Sequence, residues 1–299
     1  MNHSPIEVLD PQGTNFRTRA AGAGRSIGAI LVDNGRLTPE NAERILRLQK
    51  DEGLRFGEAA IRLGLLTEDD IRHALSHQFD YPYLPIDDNS LSKELVAAYQ
   101  PFSPSVEHLR ALRSQLMLRW FDSDANRKAL AIVSAEAKEG RSYIAANLAI
   151  VFSQLGERTL LIDADLRSPS QHKLFKLGDG PGLSSLLSER AGMEAVRPIT
   201  SLLGLSVLPA GPTPPNPQEL LGRPAFAALL QTLGHDFDVI IIDTPPGAGY
   251  ADAQTVAVRA GAALLVTRQN HSLLPKAHQL LRDLQQFGAT VVGSVLNDA

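Results

Sequence analysis

The sequence contains no cysteine in its 299 residues. That excludes disulfides, thiolate metal ligands and cysteine nucleophiles, and it fits a reducing, cytoplasmic compartment. Aromatics are scarce, at 5% with a single tryptophan, so aliphatic side chains must carry the core. No excess of one charge stands out: 29 basic and 33 acidic residues leave a formal net charge of −4. A chain that attracts nucleic acid over its whole surface is therefore not expected. No apolar run reaches the roughly 18–20 residues that span a bilayer, and Met1–Asp10 lacks the basic start and apolar core of a signal peptide. What remains is 43% hydrophobic and 21% charged, the composition of a folded soluble protein of at least two domains.

Residues 1–24 are rich in small and polar residues without periodicity and read as a flexible tail. An internal repeat follows. Shifting Ser26–Gln49 by 29 places it on Arg55–Gln78, and Gly28 then meets Gly57, Gly35 meets Gly64, Leu37-Thr38 meets Leu66-Thr67, and Gln49 meets Gln78. Each unit reads as a helix, a glycine turn and a second helix, with Thr38 and Thr67 as N-caps. Residues 25–85 are thus expected to form a small helical repeat domain. Residues 86–104 read as a proline-punctuated linker, with one helix near Ser90–Tyr99.

From Ala129 onward strands alternate with helices. Strands are expected at Ala129–Val133, Thr159–Ile162, Leu205–Leu208, Val239–Ile242, Ala263–Val266 and Thr290–Leu296. Several are continuous apolar runs, as in a parallel sheet buried on both faces. Helices are expected at Ser142–Leu155, Pro217–Leu233, Ala251–Arg259 and Leu273–Phe287, with Asn216, Pro217 and Glu219 as cap, first-turn proline and capping acid. Residues 105–299 therefore read as an α/β, doubly wound, mostly parallel sheet domain.

Ligands of such sheets bind beyond the carboxyl ends of the strands, where three loops carry chemistry. After the first strand comes Ser134-Ala135-Glu136-Ala137-Lys138-Glu139-Gly140-Arg141-Ser142-Tyr143. A phosphate loop wants glycine, four residues, glycine, lysine and a hydroxyl, so that backbone N–H groups cradle phosphate and the hydroxyl meets Mg²⁺. Gly140 and Ser142 satisfy that pattern, whereas Ala135 replaces its first glycine and Arg141 its lysine. The other two loops are Ile162-Asp163-Ala164-Asp165-Leu166-Arg167 and Ile242-Asp243-Thr244-Pro245-Pro246. A strand-end acid either caps a turn or holds Mg²⁺. Two such loops, in order after a phosphate-like loop, favour the metal.

With Asn216-Pro217-Gln218-Glu219-Leu220-Leu221 added, Pro104–Asn297 resembles the bacterial tyrosine kinases of polysaccharide biosynthesis, relatives of the ParA/MinD-type ATPases. The resemblance implies Mg²⁺ with ATP as cofactor and a nucleotide site at Ala135, Glu136, Ala137, Lys138, Glu139, Gly140, Arg141, Ser142, Tyr143 and Asp243. It implies metal contacts at Ser142, Asp165 and Asp243, and a catalytic set of Asp163, Asp165 and Arg141, with Asp163 accepting the tyrosine proton. Glu107, Arg110 and Arg113 fit the family's Glu-x-x-Arg-x-x-Arg motif, which joins subunits in a homo-oligomer. The other reading is an i,i+3 salt bridge on an exposed helix.

The chain departs from the kinase pattern in several places. Arg141 is bulkier than lysine and no point charge. Lys138 stands where glycine is usual, and a strained backbone there costs roughly 1 kcal/mol. Tyr143 replaces a second hydroxyl residue, and the family's tyrosine-rich tail is not found before Ala299. Glu136 stands where ParA/MinD-type ATPases carry a signature lysine.

The repeat resembles the N-terminal domain of type II secretion and type IV pilus ATPases, versions of which bind cyclic di-GMP. That resemblance implies a site at Ile27, Gly28, Leu31, Gly35, Leu37, Gln49, Arg55, Phe56, Gly57, Ala60, Gly64, Leu66 and Gln78. Alternatively the repeat is a docking module whose glycines only end helices. Together the resemblances imply a kinase-like regulator of exopolysaccharide chain length or export. It would act in the cytoplasm beside a membrane-bound chain-length determinant that brings it to the inner membrane, under cyclic di-GMP control and without nucleic acid. The alternative is a catalytically weak nucleotide switch of the export complex.

Overall fold

The computed structural model describes residues 26–33, 35–68, 70–71, 74, 83–122 and 127–298. The expected tail and Gln78 lie outside them. Two compact units divide the chain, Met1–Tyr81 and Pro82–Ala299.

In the first unit, helices Ile27–Asp33, Pro39–Glu52 and Phe56–Arg62 close on a core of Leu31, Leu37, Ile45, Ala59, Ala60, Leu66 and Ala74. The repeat is visible in its backbone, because Gly35 (φ +69°) and Gly64 (φ +64°) make the same left-handed turn. Thr38 Oγ1 accepts the Asn41 N–H at 3.3 Å. Thr67 and Asp70 form a reciprocal capping box, with N–H bonds of 3.2 and 2.9 Å.

The second unit holds a seven-stranded sheet in the order β3-β4-β2-β5-β1-β6-β7. The strands are β1 Ala129–Val133, β2 Thr159–Asp163, β3 Arg197–Pro198, β4 Leu205–Leu208, β5 Val239–Asp243, β6 Ala262–Arg268 and β7 Thr290–Asn297. All pairs are parallel except β3 with β4, and the two-residue β3 has no strand signal in the sequence. In β1, β2 and β5 every residue is buried. Their side chains alternate between two apolar layers: Leu130, Ile132, Leu161 and Ile241 on one face, Ala131, Val133, Leu160 and Ile242 on the other. Burying each large aliphatic contributes about 1.5–3 kcal/mol, so these runs are stable only at the centre of a covered sheet.

The linker expected at 86–104 is not one. Leu91, Leu95, Ala97, Ala98 and Tyr99 sit inside the first apolar layer. Asn147 Oδ1 accepts the Ala97 N–H at 2.9 Å, and its Nδ2 donates to Glu94 O at 3.1 Å. Gln154 Nε2 donates to Ala97 O at 2.9 Å. Proline placement hid a strap whose apolar residues complete the core. Its helix shrinks to Val96–Tyr99, because Asp88 draws the Ser90 N–H into a turn at 2.7 Å.

The helix expected over Pro217–Leu233 breaks into Pro217–Gly222 and Pro224–Asp236. Arg223 is extended (ψ 148°), the conformation that a following proline enforces. Asn216 makes no side-chain cap there; its amide donates to Glu219 Oε2 instead.

Candidate nucleotide site

Parallel pairing brings the ends of β1, β2 and β5 together. Asp163 and Asp243 are register partners across β2 and β5, and Ile132 of β1 pairs with Asp243. The loop 134–140 crosses this edge and enters the helix Arg141–Ser153. Lys138 does take the left-handed conformation that its glycine-like position demands, at φ +63°. Gly140 follows at φ +90°. Glu139 is fully buried, and its carboxylate accepts the Glu136 N–H at 2.7 Å and the Ser272 hydroxyl. Asn297 Nδ2 donates to Glu139 O at 3.2 Å, and Arg268 reaches Lys138 O at 3.2 Å. Lys276 pairs with Glu136. The loop is thus pinned from the β6 and β7 side, by residues that no sequence motif marked.

Arg141 is only 7% exposed. Its guanidinium donates to Thr244 O, to Ser134 Oγ and, at 3.3 Å, to Glu136 O. It stands 3.8 Å from Asp165 Oδ2 and 4.0 Å from Asp243 Oδ1.

All three acids are buried. Asp163 Oδ2 accepts N–H bonds from Ser170 (3.0 Å) and Gln171 (2.9 Å), and its Oδ1 accepts one long bond from the Asp165 N–H at 3.2 Å. Burial, and then the charge of Asp243, push the Asp163 carboxyl well above the usual range. Burial also raises Asp243, opposed by the Arg141 charge and by hydrogen bonds from Ser142 and Gln171. Asp165 Oδ1 accepts the N–H groups of Arg167 and Ser168, at 3.2 and 2.9 Å.

Gln171 escaped the sequence reading. It is fully buried, and its Nε2 donates to Asp243 Oδ2 at 2.8 Å and to Ser142 O at 3.1 Å. One side chain thereby ties the β5 acid to the helix start. A second tie is Arg167, which pairs with buried Asp252 at 2.6 Å and stacks on Tyr250 with 3.7 Å to the ring centroid. Neither side chain is given a role by the sequence, although Arg167 closes the loop that begins at Ile162 and Gln171 opens the short helix Gln171–Leu174.

Asp243 Oδ1 is buried and accepts no hydrogen bond. An orphaned carboxylate oxygen beside the Ser142 hydroxyl and Asp165 fits Mg²⁺, which takes one or two carboxylates and completes its shell with phosphate and water. Among the described residues no group of three or more acidic or histidine side chains forms a metal cage by itself.

The Tyr143 ring packs against the apolar layer, and burial with the Glu94 charge raises its phenol. Glu107 and Arg110 form the i,i+3 pair, whereas Arg113 donates to Val151 O at 2.6 Å within its own chain. In the first unit, Ile27, Gly28, Gln49 and Phe56 line a cavity of about 680 Å³. Leu31, Leu37, Ala60 and Leu66, expected at a ligand, turn their side chains into the apolar centre of this unit. Gly57 packs on Ile71, and the Arg55 N–H bonds Glu58 at 2.9 Å. No described helix is long and apolar enough to cross a membrane.

A family profile described as ParA, NUBPL iron-transfer P-loop NTPase, matches residues 126–298. The chain is 37% identical over 201 residues to the protein CapB of Staphylococcus aureus, covering 66% of this chain and 86% of that one. It is 34% identical over 207 residues to tyrosine-protein kinase YwqD of Bacillus subtilis, covering 69% and 86%. The solved kinase domain of Escherichia coli tyrosine kinase ETK superposes with a TM-score of 0.65 at 30% identity, over 69% of this chain and 80% of that domain. Full-length etk is far longer, and the chain spans 28% of it.

Proposed function

This chain belongs to the bacterial tyrosine-kinase family, on a P-loop fold shared with ParA-type ATPases, and from that premise we propose an ATP-dependent tyrosine-kinase-like regulator of exopolysaccharide chain length or export. The observation that carries the reading is the convergence of Asp163, Asp165, Asp243, Ser142 and Arg141 on one sheet edge. Mg²⁺ would be held by Ser142, Asp165 and Asp243, and supplies charge neutralisation on the phosphates. Backbone N–H groups at the start of the helix Arg141–Ser153 would hold the phosphates. Asp163 Oδ1 accepts a single long bond, and once a bound cation has favoured its ionised form it would take the proton of an attacking tyrosine hydroxyl. A bond forms between that oxygen and the γ-phosphorus, the bond to the bridging oxygen breaks, and ADP leaves.

Membrane association would come through a chain-length determinant, and Glu107, Arg110 and Arg113 would join subunits. The first unit would sense cyclic di-GMP at the cavity of Ile27, Gly28, Gln49 and Phe56. A second reading is a nucleotide switch with weak chemistry, and the inward turn of Arg141 favours it.

The test is incubation with Mg·ATP, scored for ADP release and for phosphotyrosine by mass spectrometry, with and without the partner's cytoplasmic segment. Phosphotyrosine that disappears in Asp163→Asn supports the kinase. Bound ATP without phosphotyrosine or Asp163-dependent turnover leaves the switch. Cyclic di-GMP control is checked by calorimetry on the full chain; no heat of binding removes it.

A further inference from the structure

A guanidinium placed among buried carboxylates has two possible duties: to hydrogen-bond them, or to neutralise them while bonded elsewhere. Arg141 does the second. Its donors go to neutral acceptors, namely the carbonyls of Thr244 and Glu136 and the Ser134 hydroxyl. Its separations from Asp165 Oδ2 and Asp243 Oδ1, 3.8 and 4.0 Å, exceed hydrogen-bond length. Asp243 Oδ1 accordingly has a counter-charge but no bond. The carboxylates are neutralised without being ligated, and a divalent cation would do both.

We infer that Arg141 is a built-in counter-ion to Asp165 and Asp243 that must be displaced before a divalent cation binds. The inference rests on reading Ser142, Asp165 and Asp243 as the metal site. Arginine suits this duty and lysine does not. Its planar fork reaches three acceptors on two loops at once, whereas an ammonium on a flexible four-carbon stem is a mobile point charge. The anchors come from both sides of the site: Ser134 and Glu136 from the loop after β1, Thr244 from the turn after β5. Held there, the cation opposes an incoming Mg²⁺ by charge repulsion and by occupying space at the two carboxylates. The consequence is a site with little preference for metal-loaded over metal-free nucleotide.

The full chain is compared with Arg141→Lys and Arg141→Gln, each checked for folding by circular dichroism. Two probes are used. Mn²⁺ without nucleotide is titrated, with the free ion counted by electron paramagnetic resonance. Fluorescent ADP is titrated in Mg²⁺ and in EDTA. Both variants are expected to bind Mn²⁺ at least tenfold more tightly than the unaltered chain. In the unaltered chain Mg²⁺ should change ADP affinity by less than threefold, and in Arg141→Lys by tenfold or more. Equal Mn²⁺ affinity in all three chains overturns the inference. Tighter Mn²⁺ in the variants with no ADP binding anywhere upholds the counter-ion and removes the nucleotide reading, so the two failures are distinguishable.

Discussion

Asp163 and Asp243 are direct partners across β2 and β5, both fully buried and both raised by that burial. Two carboxylates at one register position cannot both ionise without cost, so without a cation between them the pair favours retaining a proton.

A pH dependence follows. A carboxyl whose folded pKa lies above its unfolded value stabilises the fold below the unfolded pKa. That contribution is lost as pH rises through the folded pKa. In EDTA, Asp163→Asn should therefore match the unaltered chain at about pH 4 and exceed it in stability at about pH 8. Urea denaturation at the two pH values checks this. An equal difference at both would remove the role assigned to burial.

Gln171 holds Asp243 Oδ2 and Ser142 O with one amide. Gln171→Leu leaves both without that donor and should cost about 1–3 kcal/mol, the range for a buried polar group stripped of its partner. Because Asp243 and Ser142 then lose their relative placement, fluorescent ADP should bind more weakly in the same variant. A stability loss with unchanged ADP affinity would make the residue structural only.

Lys138 carries a side chain at φ +63°. Lys138→Gly should relieve about 1 kcal/mol of backbone strain. For a unit of this size that raises the melting temperature by about 2–4 °C. Calorimetry decides, and a lower melting temperature would mean that the side chain contributes more than its backbone costs.

Asn147 bonds Ala97, Glu94 and Tyr143 from inside the helix Arg141–Ser153. Asn147→Ala should cost about 2–3 kcal/mol by orphaning buried backbone groups. It should also open the strap to proteases, with the first new cleavages at residues 86–100. Limited proteolysis read by mass spectrometry tests this, and an unchanged cleavage pattern would show that the apolar contacts alone hold the strap.

The sequence by itself determined the six main strands, the sheet class, the strand-end acids and the paired glycine turns of the repeat. All of these are local: an apolar run of strand length, an acid at its end, a glycine where φ must be positive. The kinase resemblance rested on the same short-range patterns. Even the break at Pro224 was legible, since a proline forbids helix at Arg223, and it was overlooked in favour of the apolar periodicity around it. Only the tertiary structure decided where Arg141 turns, that Gln171 joins Asp243 to Ser142, and that Leu84, Leu91, Leu95, Ala97, Ala98 and Tyr99 belong to the core. Those outcomes depend on partners far along the chain, brought close by parallel strand pairing. A long polar side chain carries no local signal of which distant carbonyl or carboxylate it will meet. The chain's own pattern sets what each segment becomes, whereas the register of β1, β2 and β5 sets which charges must share a buried space.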